Sequence, residues 1–168
     1  MKAKLLRVLL LVAMVHTLSS CSPENLNTVS ATTLNSENKV SNYTYTSAEI
    51  ETMILINKYR LSIGLNELKE INYISLQAEE HNNYMIANNS VNHDGFVSRS
   101  ENIMRVLGAK LVGENVAFNF ATSQAVFDAW ILSPEHKKNI EGNYTNFGIS
   151  IRENAKGQKY YTNIFAQI

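Results

Sequence analysis

The chain has a single cysteine, Cys21, in 168 residues, so no internal disulfide can form and packing must supply the stability of whatever folds. That cysteine lies in a polar N-terminal stretch, which excludes a cysteine nucleophile within a folded domain. No His-Glu-x-x-His occurs, which excludes the helix-borne zinc site of that metalloprotease type. There is no run of Lys and Arg, and therefore no electrostatic footprint for a nucleic-acid partner. No internal repeat is visible.

What is present begins with an export pattern. Lys2, Lys4 and Arg7 form a positive start, and Leu5 to Val15 is apolar apart from Arg7. The run is short for a membrane span and suits a secretory signal over residues 1–20. It ends in Leu18-Ser19-Ser20-Cys21, which resembles the lipobox of bacterial lipoproteins, with Cys21 as the lipidated residue. Removing the signal leaves twelve Lys and Arg against fifteen Asp and Glu, a net charge of −3. From there to Tyr45 the chain is mostly Ser, Thr and Asn, too poor in apolar surface to offset the entropy of ordering it. Residues 21–45 are read as a lipid-anchored tether, and residues 46–168 as one domain.

Within that domain, Thr46-Ser47-Ala48-Glu49 has capping-box spacing and opens a helix with Ile50, Met53, Ile54 and Leu61 on one face, ending near Gly64. A second helix covers Asn72 to Asn88, with Ile74, Ala78, His81 and Met85 sharing a face. Ser98-Arg99-Ser100-Glu101 repeats the capping-box spacing before a helix that ends at Gly108. A fourth helix starts at Thr122 or Ser123, and Ser133-Pro134 opens a short fifth, with the serine as N-cap. Val112 to Phe118 reads as a strand. Phe147, Ile149 and Ile151 alternate with Gly148, Ser150 and Arg152 as a half-buried strand, and Tyr160 to Ala166 returns as its hairpin partner. The expected class is α+β: a three-layer α-β-α sandwich with a small antiparallel sheet between helices.

Three polar clusters stand out: His93-Asp94-Gly95, Gly113-Glu114-Asn115, and Trp130 followed by Ser133-Pro134-Glu135-His136. Alternation places Glu114 on one face with Val112 and Val116, so its carboxylate needs a partner, with Arg99, His93 and His136 as candidates. His81, on an apolar face, reads as a hydrogen-bonded core histidine. Zinc or another divalent metal held by His93 and His136, with water or Glu114, is chemically reasonable, although the sequence separations carry no metal signature. Residues alone leave a hydrolase, with Glu114 as general base and His93 or His136 assisting, and a binding module both open.

At these residues the chain resembles the CAP superfamily of cysteine-rich secretory proteins, antigen 5 and pathogenesis-related class one proteins, in its bacterial SCP-like branch. The resemblance runs from Ile50 to Ile168 through Asn57-Lys58-Tyr59-Arg60, Ala78-x-x-His81-x-x-x-Met85, His93-Asp94-Gly95-Phe96-x-x-Arg99, Gly113-Glu114-Asn115-Val116-Ala117, Trp130-x-x-Ser133-Pro134-x-His136-x-x-Asn139-Ile140, Phe147-Gly148-Ile149 and Tyr160-x-Thr162-x-x-Phe165. It implies an α-β-α sandwich and a cavity that in many members holds two histidines and two glutamates, sometimes with a metal. His93 and Glu114 match one of each. Ser133 stands where the second glutamate would fall, and no histidine follows His136. The expected site is a cavity around His93, Glu114, Asn115, Ser133 and His136, in which His136 belongs to the bacterial Ser-Pro-x-His pattern and not to the family's set of four. The expected role is that of a binding module in the cell envelope, outside the cytoplasm, with the outer membrane or surface as one open location. It would be anchored through Cys21 and take a lipid, peptide or cell-wall ligand.

Overall fold

A computed structural model describes residues 42–168; the signal, most of the tether and Cys21 lie outside the described residues. Five helices and four strands follow in the order α1 (Ser47–Ser62), β1 (Lys69–Glu70), α2 (Asn72–Ala87), α3 (Phe96–Leu107), β2 (Leu111–Phe118), α4 (Ser123–Leu132), α5 (Pro134–Ile140), β3 (Asn146–Glu153) and β4 (Lys159–Gln167). The sheet order is β1-β3-β4-β2. Its long pairings, β2 with β4 and β3 with β4, are antiparallel, whereas the two-residue β1 joins β3 in parallel. The sheet is therefore mixed rather than wholly antiparallel.

Helices cover both faces of the sheet. One face carries Phe147, Ile149, Ile151, Tyr161 and Phe165 against Met53 and Ile56 of α1, Phe127 and Trp130 of α4, and Ile140 of α5. The other packs Val112 and Ile164 against Ile74 and Ala78 of α2 and Ile103 of α3. This two-sided cover corrects the expectation of a half-buried β3: Gly148 and Ser150 are as buried as Phe147 and Ile149. Gly148 is required there. A Cβ at that position would collide with the backbone nitrogen of Ser75 and lie 2.7 Å from the carbonyl carbon of Ile74, in the first turn of α2.

The capping box at Thr46 and Glu49 forms as expected. The buried row of α1 does not. Ile50, Ile54 and Leu61 are exposed, and Glu49, Thr52, Met53, Ile56 and Arg60 face inward. Glu49 and Arg60 take inner positions in place of Ile50, Ile54 and Leu61 because the fold satisfies their charges. Glu49 accepts from the Tyr43 hydroxyl (2.7 Å), the Thr46 and Ile151 amides and Arg152 (3.0 Å). Arg60 donates to main-chain carbonyls described below. Tyr43 is buried and Tyr45 half-buried, with the Tyr45 hydroxyl bonded to that of Ser75, so packed structure begins at Tyr43 rather than Thr46.

The spacing of Ser98 and Glu101 does not mark a helix start. Helix α3 opens earlier, at Phe96, behind Gly95 in the left-handed conformation (φ 70°). The Asn92-to-Gly95 turn supplies that start, with the Asn92 side chain bonding both the Asp94 amide and its carboxylate.

Candidate functional site

The turn that starts α3 also places His93 over strand β2. Glu114, in that strand, points to the α2 and α3 side of the sheet, and its side chain is 1% exposed. A carboxylate so deeply buried must be compensated. Arg99 supplies most of this in a two-pronged contact, Nε to Oε2 at 2.9 Å and Nη2 to Oε1 at 2.8 Å. Its third nitrogen donates to the Asp94 carbonyl at 2.7 Å, which ties the turn to the ion pair.

His93 completes the set through Nδ1, 2.8 Å from Oε1 of Glu114. An ionised carboxylate only accepts, so Nδ1 carries the proton and Nε2 is left as the free edge of the ring. The His93 side chain is 47% exposed, and that edge is the accessible part of the cluster. The chain thus fixes the tautomer and orientation of an exposed imidazole through a buried carboxylate.

His81 lies behind the pair, its Nε2 2.8 Å from the Asn92 carbonyl and 3.9 Å from Oε1 of Glu114. It is the core histidine expected from its helix face, and its Nδ1 has no partner. Burial pushes its pKa down, partly opposed by the Glu114 charge. A cavity of about 250 Å³ adjoins the cluster, lined by Glu80, His81, Tyr84, Asp94, Gly95 and Arg99.

The third sequence cluster does different work. His136 does not reach Glu114. Its Nδ1 pairs with the Ser133 hydroxyl at 2.8 Å, and Ser133, although the N-cap of α5 by position, makes no side-chain cap bond. Both residues are half-buried. The His136 pKa is lowered by burial first and by the nearby His93 second. Around them, α4 and α5 are stitched to the outer edge of β2. The Trp130 indole donates to the Val116 carbonyl (3.2 Å), and the Asn139 amide to the Glu114 carbonyl (3.0 Å) and to the Asn115 side chain (2.8 Å). Asn115 in turn donates to the His136 carbonyl at 2.9 Å. Asn115 is fully buried on the opposite face of the strand from Glu114, so it holds α5 in place and does not line the same cleft. These side chains cap edge carbonyls that an exposed strand would otherwise leave open.

The residues present do not fit a zinc centre. The Glu114 oxygens already face Arg99 and His93, which leaves the Nε2 atoms of His93 and His136 as the open donors of the expected set, fewer than the three protein ligands a zinc site takes. Among the described residues no three His, Cys, Asp or Glu side chains converge as a metal site. The same geometry disfavours Glu114 as a general base, because a base must reach a substrate proton and have a free lone pair to take it.

The depressed pKa values of His81 and His136 carry a pH dependence. Both groups bind a proton more readily in the unfolded chain, so their contribution is complete above the ordinary histidine pKa, about 6.5, and stability falls as pH drops below it. Thermal unfolding followed from pH 7.5 to 5.5 is expected to show a falling midpoint. The slope should flatten in His81→Gln.

Comparison with known proteins agrees with this architecture. The chain resembles an outer surface protein of Borrelia burgdorferi at 18% identity, covering 75% of this chain and 97% of that one, with a TM-score of 0.66. An extracellular SCP-domain protein of Bacillus anthracis matches at 23% identity, covering 76% of this chain and 45% of that one (TM-score 0.63). A cysteine-rich secretory protein of Staphylococcus aureus matches at 17%, covering 76% of this chain and 42% of that one (TM-score 0.63). A comparison with curated proteins finds no match. At these identities the likeness shows the fold alone. The model of the cysteine-rich secretory protein family, by contrast, matches residues 53–167 directly, from within α1 to the end of β4. The chain therefore belongs to the CAP, or cysteine-rich secretory protein, family.

Proposed function

We propose that the domain is an extracytoplasmic binding module of the cell envelope, tethered through a lipid at Cys21, which recognises its ligand at the His93 face. The observation that carries this reading is the state of Glu114. It is buried, held by two prongs of Arg99 and bonded to His93 Nδ1, so it orients an exposed imidazole instead of meeting a substrate. His93 Nε2 is left to accept a hydrogen bond. An imidazole held with an open acceptor edge suits a polar ligand with donor groups, such as a peptide or a cell-wall fragment. Two structurally similar proteins, an outer surface protein and an extracellular protein, support the location.

Binding of short peptides, muropeptides and lipid vesicles to the full chain, followed by titration calorimetry, tests the reading. The ligand that binds is expected to lose about tenfold in affinity in His93→Ala, roughly one hydrogen bond to a well-held group, with the unfolding midpoint unchanged. Equal affinity of the folded His93→Ala variant for every probe contradicts the site. Palmitate labelling that persists in Cys21→Ala contradicts the anchor.

A further inference from the structure

Helix α1 carries a stripe that the fold does not use. Ile50, Ile54 and Leu61 are 45%, 46% and 53% exposed, yet with Asn57 they recur at spacings of four, three and four residues. That is the spacing of a helix seam built to meet another helix. Asn57, the polar member, is already satisfied: its amide donates to the Leu68 carbonyl at 3.0 Å and accepts from the Leu68 amide at 2.9 Å. It can therefore sit in an apolar contact without an open polar group. The stripe also forms one wall of a groove of about 510 Å³ that Phe147 lines, which gives an incoming side chain a recess.

Charge says what the incoming helix is. Glu51 and Lys58, both exposed, flank the seam on the same side, one position after Ile50 and after Asn57. When two copies of α1 are laid antiparallel about a two-fold axis, Ile50 meets the partner's Leu61 and Ile54 meets the partner's Asn57. Glu51 then lies beside the partner's Lys58, and Lys58 beside the partner's Glu51. The surface is self-complementary, which is what a two-fold interface requires of a single patch. The acidic rim at Glu67 and Glu70 argues against an anionic membrane surface as the occupant.

We propose that this chain self-associates through the exposed seam of α1, as an antiparallel two-fold dimer with paired Glu51–Lys58 contacts. One helix face is smaller than the roughly 800 Å² per partner of a standard stable interface, so the dimer is weak, with a dissociation constant of about 10 µM to 1 mM. The seam lies on the helical layer that packs α1, α4 and α5, whereas His93 stands over the opposite layer, so association leaves the candidate ligand face open.

Sedimentation velocity on the full chain, from about 1 µM to about 1 mM, reads the outcome. The sedimentation coefficient is expected to rise with concentration. Ile54→Glu should weaken association about tenfold or more, since symmetry places the new charge in the seam twice. Glu51→Lys and Lys58→Glu should each weaken it about tenfold by setting like charges together, and the Glu51→Lys/Lys58→Glu double variant should restore it. Rescue by the double variant is specific to a self-partner in this register. A wild-type chain that stays monomeric throughout, or association that the charge reversals leave unchanged, overturns the proposal. The charge variants change only exposed residues and stay informative even if Ile54→Glu fails to fold.

Discussion

Arg60→Ala is expected to be the most damaging single substitution in the domain. Arg60 is fully buried, and its acceptors among the described residues are carbonyl and amide oxygens rather than a carboxylate. Its guanidinium instead gathers main-chain oxygens: Nε donates to the Asn66 carbonyl at 2.9 Å, and Nη1 to Ile140 at 2.7 Å and Gly142 at 2.9 Å. Nη2 adds the Asn66 side-chain oxygen (3.3 Å) and the Tyr144 carbonyl (3.4 Å). Burial lowers the pKa of this arginine, as expected for a cation without a counter-charge. The substitution to alanine removes a long packed side chain and strands several buried acceptors, for a loss of roughly 4 kcal/mol or more. For a domain of this size that lowers the unfolding midpoint by roughly 15 °C. Arg60→Lys should recover little, because an ammonium point charge cannot span acceptors spread across a planar fork. Differential scanning calorimetry of the three proteins checks this. An alanine variant within about 1 kcal/mol of wild type contradicts the assignment. The effect reaches the site too, since the segment Arg60 holds, Ile140 to Tyr144, connects α5 to β3.

Glu114→Ala comes second. It leaves Arg99, whose side chain is only 11% exposed, without its carboxylate, and His81 and His93 without theirs. Breaking a buried pair from one side costs about 3–5 kcal/mol, chiefly for the charge left behind. Glu114→Gln keeps the shape but removes the charge, and should fall between wild type and alanine. The double variant Glu114→Gln/Arg99→Met is expected to regain part of the loss, because it removes both charges together. Chemical denaturation of wild type, Glu114→Gln, Arg99→Met and the double variant closes the cycle and gives the coupling directly. Additive losses in the double variant contradict a shared ion pair.

Much of the fold was legible because its local signals agree with its tertiary structure. The Thr46 capping box, the Gly108 stop, the apolar face of α2 and the hairpin of β3 and β4 all appear as read. Where reading failed, a tertiary contact had reversed a local preference. Ile50 and Ile54 of α1 lost the inner face to Glu49 and Arg60, whose partners lie as far away as Ile151 and Ile140, beyond the reach of any helix-period argument. The capping-box spacing at Ser98 was overridden by a left-handed Gly95 and the Asn92 turn. At the site, the need for a partner at Glu114 was readable from its two valine neighbours. The choice of Arg99 and His93 over His136 was not, because it depends on which face of β2 each helix covers. Ser133 illustrates the limit most clearly: its position marks an N-cap, while its hydroxyl goes to His136.

In the proposed function Glu114 holds His93 in place and does not itself act on a substrate. The measurement that meets it most directly is turnover of peptide and peptidoglycan substrates by the wild-type chain, beside folded Glu114→Gln and His93→Ala variants. The account predicts no turnover by any of the three, with ligand binding reduced in His93→Ala. Wild-type turnover that disappears in a folded Glu114→Gln variant would contradict it.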